Sequence, residues 1–174
     1  MNSYLQFSIR RSFLIPLGLL VLLTGVLFVL CLVRGEPTAK ILILAFIMLP
    51  IIVLFAESVF RRALLTADGV VAFKLLRNKE LKYAEITAVE TVLVRKRVFL
   101  TLCAGDDFLI ISNAYGNFPA LVQALLARVP VSAISEETRE MAAAPPVKST
   151  DVVSCWLAVA LMVFILYIQM GGRL

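Results

Sequence analysis

Apolar positions along this chain fall into three different patterns. The first is uninterrupted: Phe13–Val33 runs for 21 residues without a charge. Ile41–Ala56 is a second such run, extended past Glu57 by Ser58-Val59-Phe60, and Val152–Met170 is a third. Roughly 18 or more uncharged apolar residues are enough to cross a hydrocarbon core as a helix. The second pattern, between the second and third runs, has a period of two. Val71, Phe73 and Leu75 alternate with Ala72 and Lys74, as in a half-buried strand. The predicted strands are Arg62–Thr66, Val70–Leu76, Glu80–Tyr83, Ala88–Val94, Val98–Cys103 and Phe108–Ser112. The turns between them are Ala67-Asp68-Gly69, Arg77-Asn78-Lys79, Ala84–Thr87, Arg95-Lys96-Arg97 and Gly105-Asp106-Asp107. The third pattern is helical: Phe118, Leu121, Val122, Leu125 and Leu126 share one face, with Asn117 at the cap and Pro119 in the first turn. The expectation is an antiparallel sheet closed or capped by one amphipathic helix, with Val71, Phe73, Leu100, Leu102, Ile110, Leu121 and Leu125 in its core.

These patterns divide the chain. Residues 1–12 read as an N-terminal tail, 13–60 as a two-helix transmembrane hairpin, and 61–130 as the folded domain. Residues 131–151 read as a linker, 152–170 as a third transmembrane helix, and 171–174 as a C-terminal tail. The linker carries a short helix capped at Ser135 and stopped by Pro145-Pro146. Pro50 is expected to bend the second span. Composition agrees with a membrane protein, since 61% of residues are apolar and mean hydropathy is +0.95. Arg10-Arg11-Ser12-Phe13-Leu14 resembles the core of a twin-arginine export signal. However, the apolar run is too long and lacks a small-residue cleavage site, so it reads as an uncleaved span. With the N-terminus inside, the cytoplasmic side carries 14 of the 17 basic residues. The expected location is the bacterial cytoplasmic (inner) membrane, multi-pass, with the N-terminus and the domain cytoplasmic and the C-terminus outside.

The middle segment resembles the bacterial pleckstrin-homology-like (PH-like) domain. The matching residues are Thr66, Asp68 and Gly69, then Tyr83, Glu85, Ile86 and Val89, then Gly105 and Asp106, followed by the closing helix. The resemblance implies a membrane α plus β fold: three transmembrane helices and an inserted antiparallel PH-like β-barrel plugged by a C-terminal helix. It implies no catalytic residues. The first hairpin turn, Ala67-Asp68-Gly69, is short and acidic, unlike the long basic loop with which related domains hold phosphoinositides.

The chemistry points away from an enzyme. There is no histidine for general-base work near neutral pH, and no phosphate-binding glycine loop or nucleophile elbow. Cys31, Cys103 and Cys155 have no metal-binding spacing, so no cofactor or metal is expected. The net charge of +5 on a membrane protein suggests topology and anionic lipid rather than nucleic acid. Two functions fit. In the first, the domain is a protein-interaction or assembly module of a larger membrane complex, with other subunits or a second copy as partner. In the alternative, basic residues contact anionic lipid, the candidates being Arg61, Arg62, Arg77, Lys79, Arg95, Lys96 and Arg97. If the chain reverses at every turn, these residues gather at one end, and Asp68, Glu85 and Asp106-Asp107 at the other.

Overall fold

The computed structural model describes residues 4–146 and 150–171. The chain forms two compact units, and each is interrupted by the other in sequence. The helical unit takes residues 11–59 and the C-terminal helix, and the β unit takes the residues before Arg11 together with those from Phe60 to the end of the linker.

The helical unit contains α1 (Arg11–Val33), α2 (Thr38–Phe60) and α5 (Thr150–Gln169). All three are long and apolar enough to cross a membrane. At 1.5 Å per residue, α1 and α2 each reach about 34 Å, slightly more than a bilayer's hydrocarbon thickness. Leu27 and Cys31 of α1 pack with Leu166 of α5, flanked by Ile41 and Leu44 of α2. Gly18 allows α1 to approach α2: a Cβ there would lie 3.1 Å from the Phe55 ring. The hydroxyls of Thr24, Ser58 and Ser154 each donate to the carbonyl four residues earlier. Polar groups satisfied within their own helix need no water, as hydrocarbon surroundings require. Beyond α1, Glu36 accepts from Gln169 at 3.1 Å and pairs with Lys40 at 2.9 Å, while Arg34 donates to the Gln169 carbonyl. These bonds hold the α1–α2 connection against the end of α5. The hydrogen bond from Lys40, then that from Gln169, keeps the Glu36 carboxyl below its ordinary pKa.

The β unit has two open antiparallel sheets. Strands β1 (Leu5–Ser8), β2 (Arg62–Leu65), β3 (Gly69–Phe73) and β4 (Asn78–Lys82) form one sheet in sequence order. Strands β5 (Ala88–Val94), β6 (Arg97–Ala104) and β7 (Asp107–Ser112) form the other. The sequence reading expected one barrel, but the chain breaks between sheets at a 3-10 turn, Tyr83–Glu85. The residues behind the family resemblance have structural roles. The Thr66 hydroxyl and backbone close the first turn onto Gly69. A side chain at Gly69 would meet the Leu81 carbonyl oxygen at 2.5 Å, so only glycine fits this approach of β3 to β4. Tyr83, Ile86 and Val89 are buried.

Strand β1 has no counterpart in the sequence reading. It pairs with β2 from Leu5↔Leu65 to Ser8↔Arg62. The chain therefore leaves the sheet at Ser8 and returns at Arg62, its register partner, after both helices of the hairpin.

Helix α3 (Phe118–Leu126) buries Phe118, Leu121, Val122 and Leu125 of its predicted face and leaves Leu126, the fifth, half-buried. Burying one such side chain fully contributes roughly 1.5–3 kcal/mol. Asn117 occupies the cap position in a left-handed conformation, but its side chain makes no capping bond. Helix α4 (Glu136–Ala143) is capped by Ser135, which accepts from the Thr138 amide. Residues 131–143, read from sequence as linker, lie against β5. The Ser135 amide donates to the Val89 carbonyl at 3.1 Å. The Thr138 hydroxyl reaches the same carbonyl at 3.1 Å and the Thr91 hydroxyl at 2.9 Å.

Of the seven predicted core residues, Leu100, Leu102, Leu121 and Leu125 are fully buried. Val71 and Phe73 are half-buried and Ile110 is exposed. The corrected core positions are Val70, Ala72, Leu109 and Ile111, and register explains the change. Ile110 stands opposite Thr101, whereas Leu109 and Ile111 face Leu102 and Leu100. Val70 lies between Leu65 and Leu81, whereas Phe73 lies between Arg62 and Asn78. Opposed residues share a face of the sheet. Both faces of β3 and β7 are apolar, so alternation alone does not choose the inner one.

Candidate functional site

Two open sheets have four outer edges, and these differ. The edge of β1 is covered by the loop after β7: Ile9 bridges Tyr115, the Gly116 amide donates to the Ser8 carbonyl at 2.7 Å, and the Arg10 amide to the Ala114 carbonyl at 3.2 Å. The start of β5 is covered by a bridge from Val89 to Ile134. Among the described residues, β4 pairs only with β3 and β7 only with β6. Strand β4 lies close beside β7, and an open cleft of about 220 Å³ lies between β7 and the β3–β4 hairpin end. Ala72, Lys74, Arg77, Asn78 and Lys79 line one side, and Phe108, Leu109 and Ile110 the other. Phe108 and Ile110 are exposed apolar residues. Lys79 spans the gap, pairing with Asp107 at 2.8 Å and lying 5.0 Å from the centre of the Phe108 ring. Both partners are substantially exposed, so the pair contributes little stability. Charged residues along a strand edge deter uncontrolled edge-to-edge pairing.

The seven basic candidates do not form one cluster. Arg61 lies over the Tyr115 ring, 5.7 Å from its centre. Arg62 lies over Phe73 at 4.6 Å, on the outer face of β2 and β3. Arg77 and Lys79 belong to the cleft. Arg95 and Lys96 form a two-residue turn between Val94 and its partner Arg97. The Asn113 side chain donates to the Lys96 carbonyl at 2.9 Å and to the Pro146 carbonyl at 3.0 Å. Loop residues 113–116 thus connect the Arg95–Arg97 turn to Ser8, Arg10 and Arg61, as the alternation of turns predicts. The β3–β4 turn also lies at the Arg62 end of its sheet, since Phe73 pairs with both Arg62 and Asn78, but the acidic β6–β7 turn lies beside it, where Lys79 meets Asp107. The parity of turns holds within one sheet but not across the break at Tyr83–Glu85.

Tyr115 is the buried centre of this loop, only 1% exposed. Burial pushes its phenol pKa up, opposed by the Arg61 guanidinium. Tyr83 is also raised by burial, with Arg128 opposing. Both phenols are therefore neutral at physiological pH. Among the described residues no group of three or more acidic, cysteine or histidine side chains could hold a metal ion.

A second surface is the β5–β6 hairpin tip. Val92, Leu93 and Val94 are all exposed, directly before Arg95, Lys96 and Arg97. Arg95 has a φ of 56°, a left-handed conformation that costs a non-glycine residue on the order of 1–2 kcal/mol. The sequence reading found the three cations but not the apolar residues beside them. It also missed Tyr115 and Asn113 as buried anchors of the loop after β7 and Phe108 as an exposed residue, and it placed the exposed Ile110 in the core. Leu5, Phe7 and Ile9 alternate with Gln6 and Ser8, a strand signal masked by the long apolar run that follows.

No protein-family model matches the chain, and neither a curated protein nor a solved structure matches it.

Proposed function

We propose that this chain is a non-catalytic integral membrane protein whose β unit is a PH-like interaction or assembly module for other membrane subunits. The observation that carries this reading is that, among the described residues, β4 and β7 each pair on one side only, while bridges from loop residues cover the edge of β1 and the start of β5. An open strand edge offers a row of backbone donors and acceptors to an added strand. Two antiparallel meanders followed by an amphipathic helix also fit what the PH-like resemblance implies. In this reading the protein resides in a bacterial cytoplasmic membrane, with the β unit inside and the C-terminus outside. Residues 172–174, which carry that end, lie outside the described residues. Native mass spectrometry of the gently extracted protein tests the module: a bound subunit, foreign or identical, is expected, and a protein that always leaves the membrane alone contradicts it. An impermeant thiol reagent that reaches an Asn78→Cys site in intact cells would reverse the orientation.

A second reading rests on the β5–β6 hairpin. Val92, Leu93 and Val94 beside Arg95, Lys96 and Arg97 combine apolar insertion with attraction to an anionic leaflet. Each basic residue near such a surface contributes about 1 kcal/mol, screened by salt. Arg95→Glu with Lys96→Glu and Arg97→Glu should weaken association of the β unit with anionic lipid, most at low salt.

A further inference from the structure

We propose that the β3–β4 hairpin tip, Leu75-Leu76 with Arg77, inserts into an anionic leaflet; this rests on the lipid-contact reading and gives it a second, separate element. The first observation is the make-up of the turn. The Lys74 amide donates to the Arg77 carbonyl at 2.9 Å, which leaves Leu75 and Leu76 as the two central residues. Such positions favour glycine, asparagine, aspartate, serine or proline, each for a backbone reason that leucine does not share. The other hairpin tips follow that rule or are charged: Asp68 precedes Gly69, Gly105 precedes Asp106, and Arg95 precedes Lys96. Two leucines therefore gain nothing in the turn itself, and the sheet does not bury them. Leu75 is exposed, and Leu76, at 93%, is the most exposed large apolar side chain among the described residues. The next two, Phe46 and Val33, belong to α2 and α1, helices apolar enough to cross a membrane. A leucine with so little protein contact suits hydrocarbon rather than water as its surroundings.

The second observation is where the tip lies. Arg62 is the register partner of Ser8 on one side and of Phe73 on the other, and Phe73 pairs with Asn78. This row is one end of the four-stranded sheet, and the chain enters and leaves the long helices beside it. Helix α1 begins at Arg11, three residues after Ser8, and α2 ends at Phe60, two residues before Arg62. Two or three extended residues reach at most about 10 Å, close to a Debye length at about 0.1 M salt. Strands β2 and β3 are antiparallel, so Leu75 and Leu76 continue past Phe73 in the direction from which the chain reaches Arg62. The turn thus projects from the same end of the sheet as the helix connections. Charge matches this placement. Arg77 is exposed directly after the leucines, and the exposed Arg62 lies over the Phe73 ring in the same row. Lys79 and Asp107 offset each other. Leucine side chains can enter the acyl region while the guanidinium groups stay among the phosphates. A nucleic acid supplies phosphates but no hydrocarbon for the leucines.

The test uses the full chain in nanodiscs of equal parts phosphatidylcholine and phosphatidylserine, with a single tryptophan as reporter. Trp156→Phe removes the native tryptophan. In that background Leu76→Trp reports on the β3–β4 tip, Val94→Trp on the β5–β6 tip, and Asp68→Trp on the opposite end of the four-stranded sheet. Phosphatidylcholine brominated on its acyl chains quenches a tryptophan only where it meets hydrocarbon. The Leu76→Trp protein should be quenched by brominated lipid and emit further to the blue than the Asp68→Trp protein, which should be quenched only by aqueous acrylamide. Adding Arg77→Glu should lower the ratio of inserted to free tips by about fivefold or more, and the loss should shrink at high salt. Hydrogen exchange in β3 and β4 checks that each protein is folded, and Leu75→Trp replaces Leu76→Trp if that variant is not. Equal quenching of the Leu76→Trp and Asp68→Trp proteins overturns insertion. Quenching unchanged by Arg77→Glu overturns the selection of anionic lipid. A Leu76→Trp reporter shielded from acrylamide yet untouched by brominated lipid would place a protein surface over the tip and overturn the proposal. If only the Val94→Trp protein is quenched by lipid, this proposal fails and the lipid-contact reading stands. If neither tip is quenched, both fail.

Discussion

In α3 Phe118, Leu121, Val122 and Leu125 are buried within the β unit. In α2, a longer helix of similar apolar character, Phe46 is 82% exposed and Ser58 is the one buried residue. The contrast extends to polar groups. Thr138 places its hydroxyl between two elements, reaching Val89 and Thr91, whereas Ser58 returns its hydroxyl to its own helix at Leu54. The β unit supplies its own cover, and its side chains face one another across register pairs. The helical unit leaves apolar surface outward and closes its polar groups on themselves, which suits hydrocarbon as solvent. Similar residue types therefore play opposite roles, according to what surrounds them.

The largest test of this comparison cuts the chain where the two units interleave. Deleting residues 4–10 removes β1 and uncovers the edge of β2. A fragment of residues 61–146 carries the same loss. Both should lose most amide protection in β2 and β3, measured by hydrogen-exchange mass spectrometry. Joining residues 4–10 directly to 61–146 through a short flexible loop should restore it, because Ser8 and Arg62 are register partners. Removing the helical hairpin in this way should cost the β unit little, whereas removing seven N-terminal residues should unfold it. Full protection in the bare fragment would show that β1 is dispensable.

Next in size is a paired truncation. Leu125→Ala should destabilise the β unit by about 2–5 kcal/mol, read from exchange of its slowest amides. Phe46→Ala, which removes a larger side chain from an exposed face, should change the helical unit by less than about 0.5 kcal/mol. Comparable losses at the two sites would mean that α2 has a protein partner where hydrocarbon is expected.

A smaller contrast is expected between hydroxyls. Thr138→Val removes the bonds of the buried Thr138 hydroxyl between α4 and β5 and should cost roughly 1–3 kcal/mol, since it also leaves the half-buried Thr91 hydroxyl without that partner. Ser58→Ala should stay within about 0.5 kcal/mol. The smallest effect concerns alkaline pH. Burial raises the Tyr115 and Tyr83 phenols in the folded state, so the folded β unit holds these protons more tightly than the unfolded chain. Stability from this source is complete below the ordinary tyrosine pKa of about 10 and falls as pH rises past it. Tyr115→Phe should flatten part of that fall in a pH series of exchange rates, while exchange in α2 should show no matching change.

Much of this architecture is legible along the chain. The strand runs between Arg62 and Ser112, the helical face of α3 and the three long apolar helices follow from periods of two, of 3.6, and of none. Other features are not legible, for specific reasons. β1 is separated from β2 by both helices of the hairpin, so no local pattern links Leu5 to Leu65. The inner face of β7 depends on Thr101 standing opposite Ile110, a matter of register. The seven basic candidates look alike in sequence, yet Arg61 lies over Tyr115, Lys79 pairs with Asp107, and Arg95 shapes a turn.

The sequence by itself determined which segments are apolar enough for a membrane, where strands alternate and where turns reverse them, because these depend on composition and spacing over a few residues. Only the tertiary structure decided that the β unit begins before the first long helix, that its strands divide into two open sheets, and that, among the described residues, β4 and β7 each pair on one side only. Those outcomes depend on which distant strands exchange backbone hydrogen bonds, and the donors and acceptors involved are the same at nearly every residue.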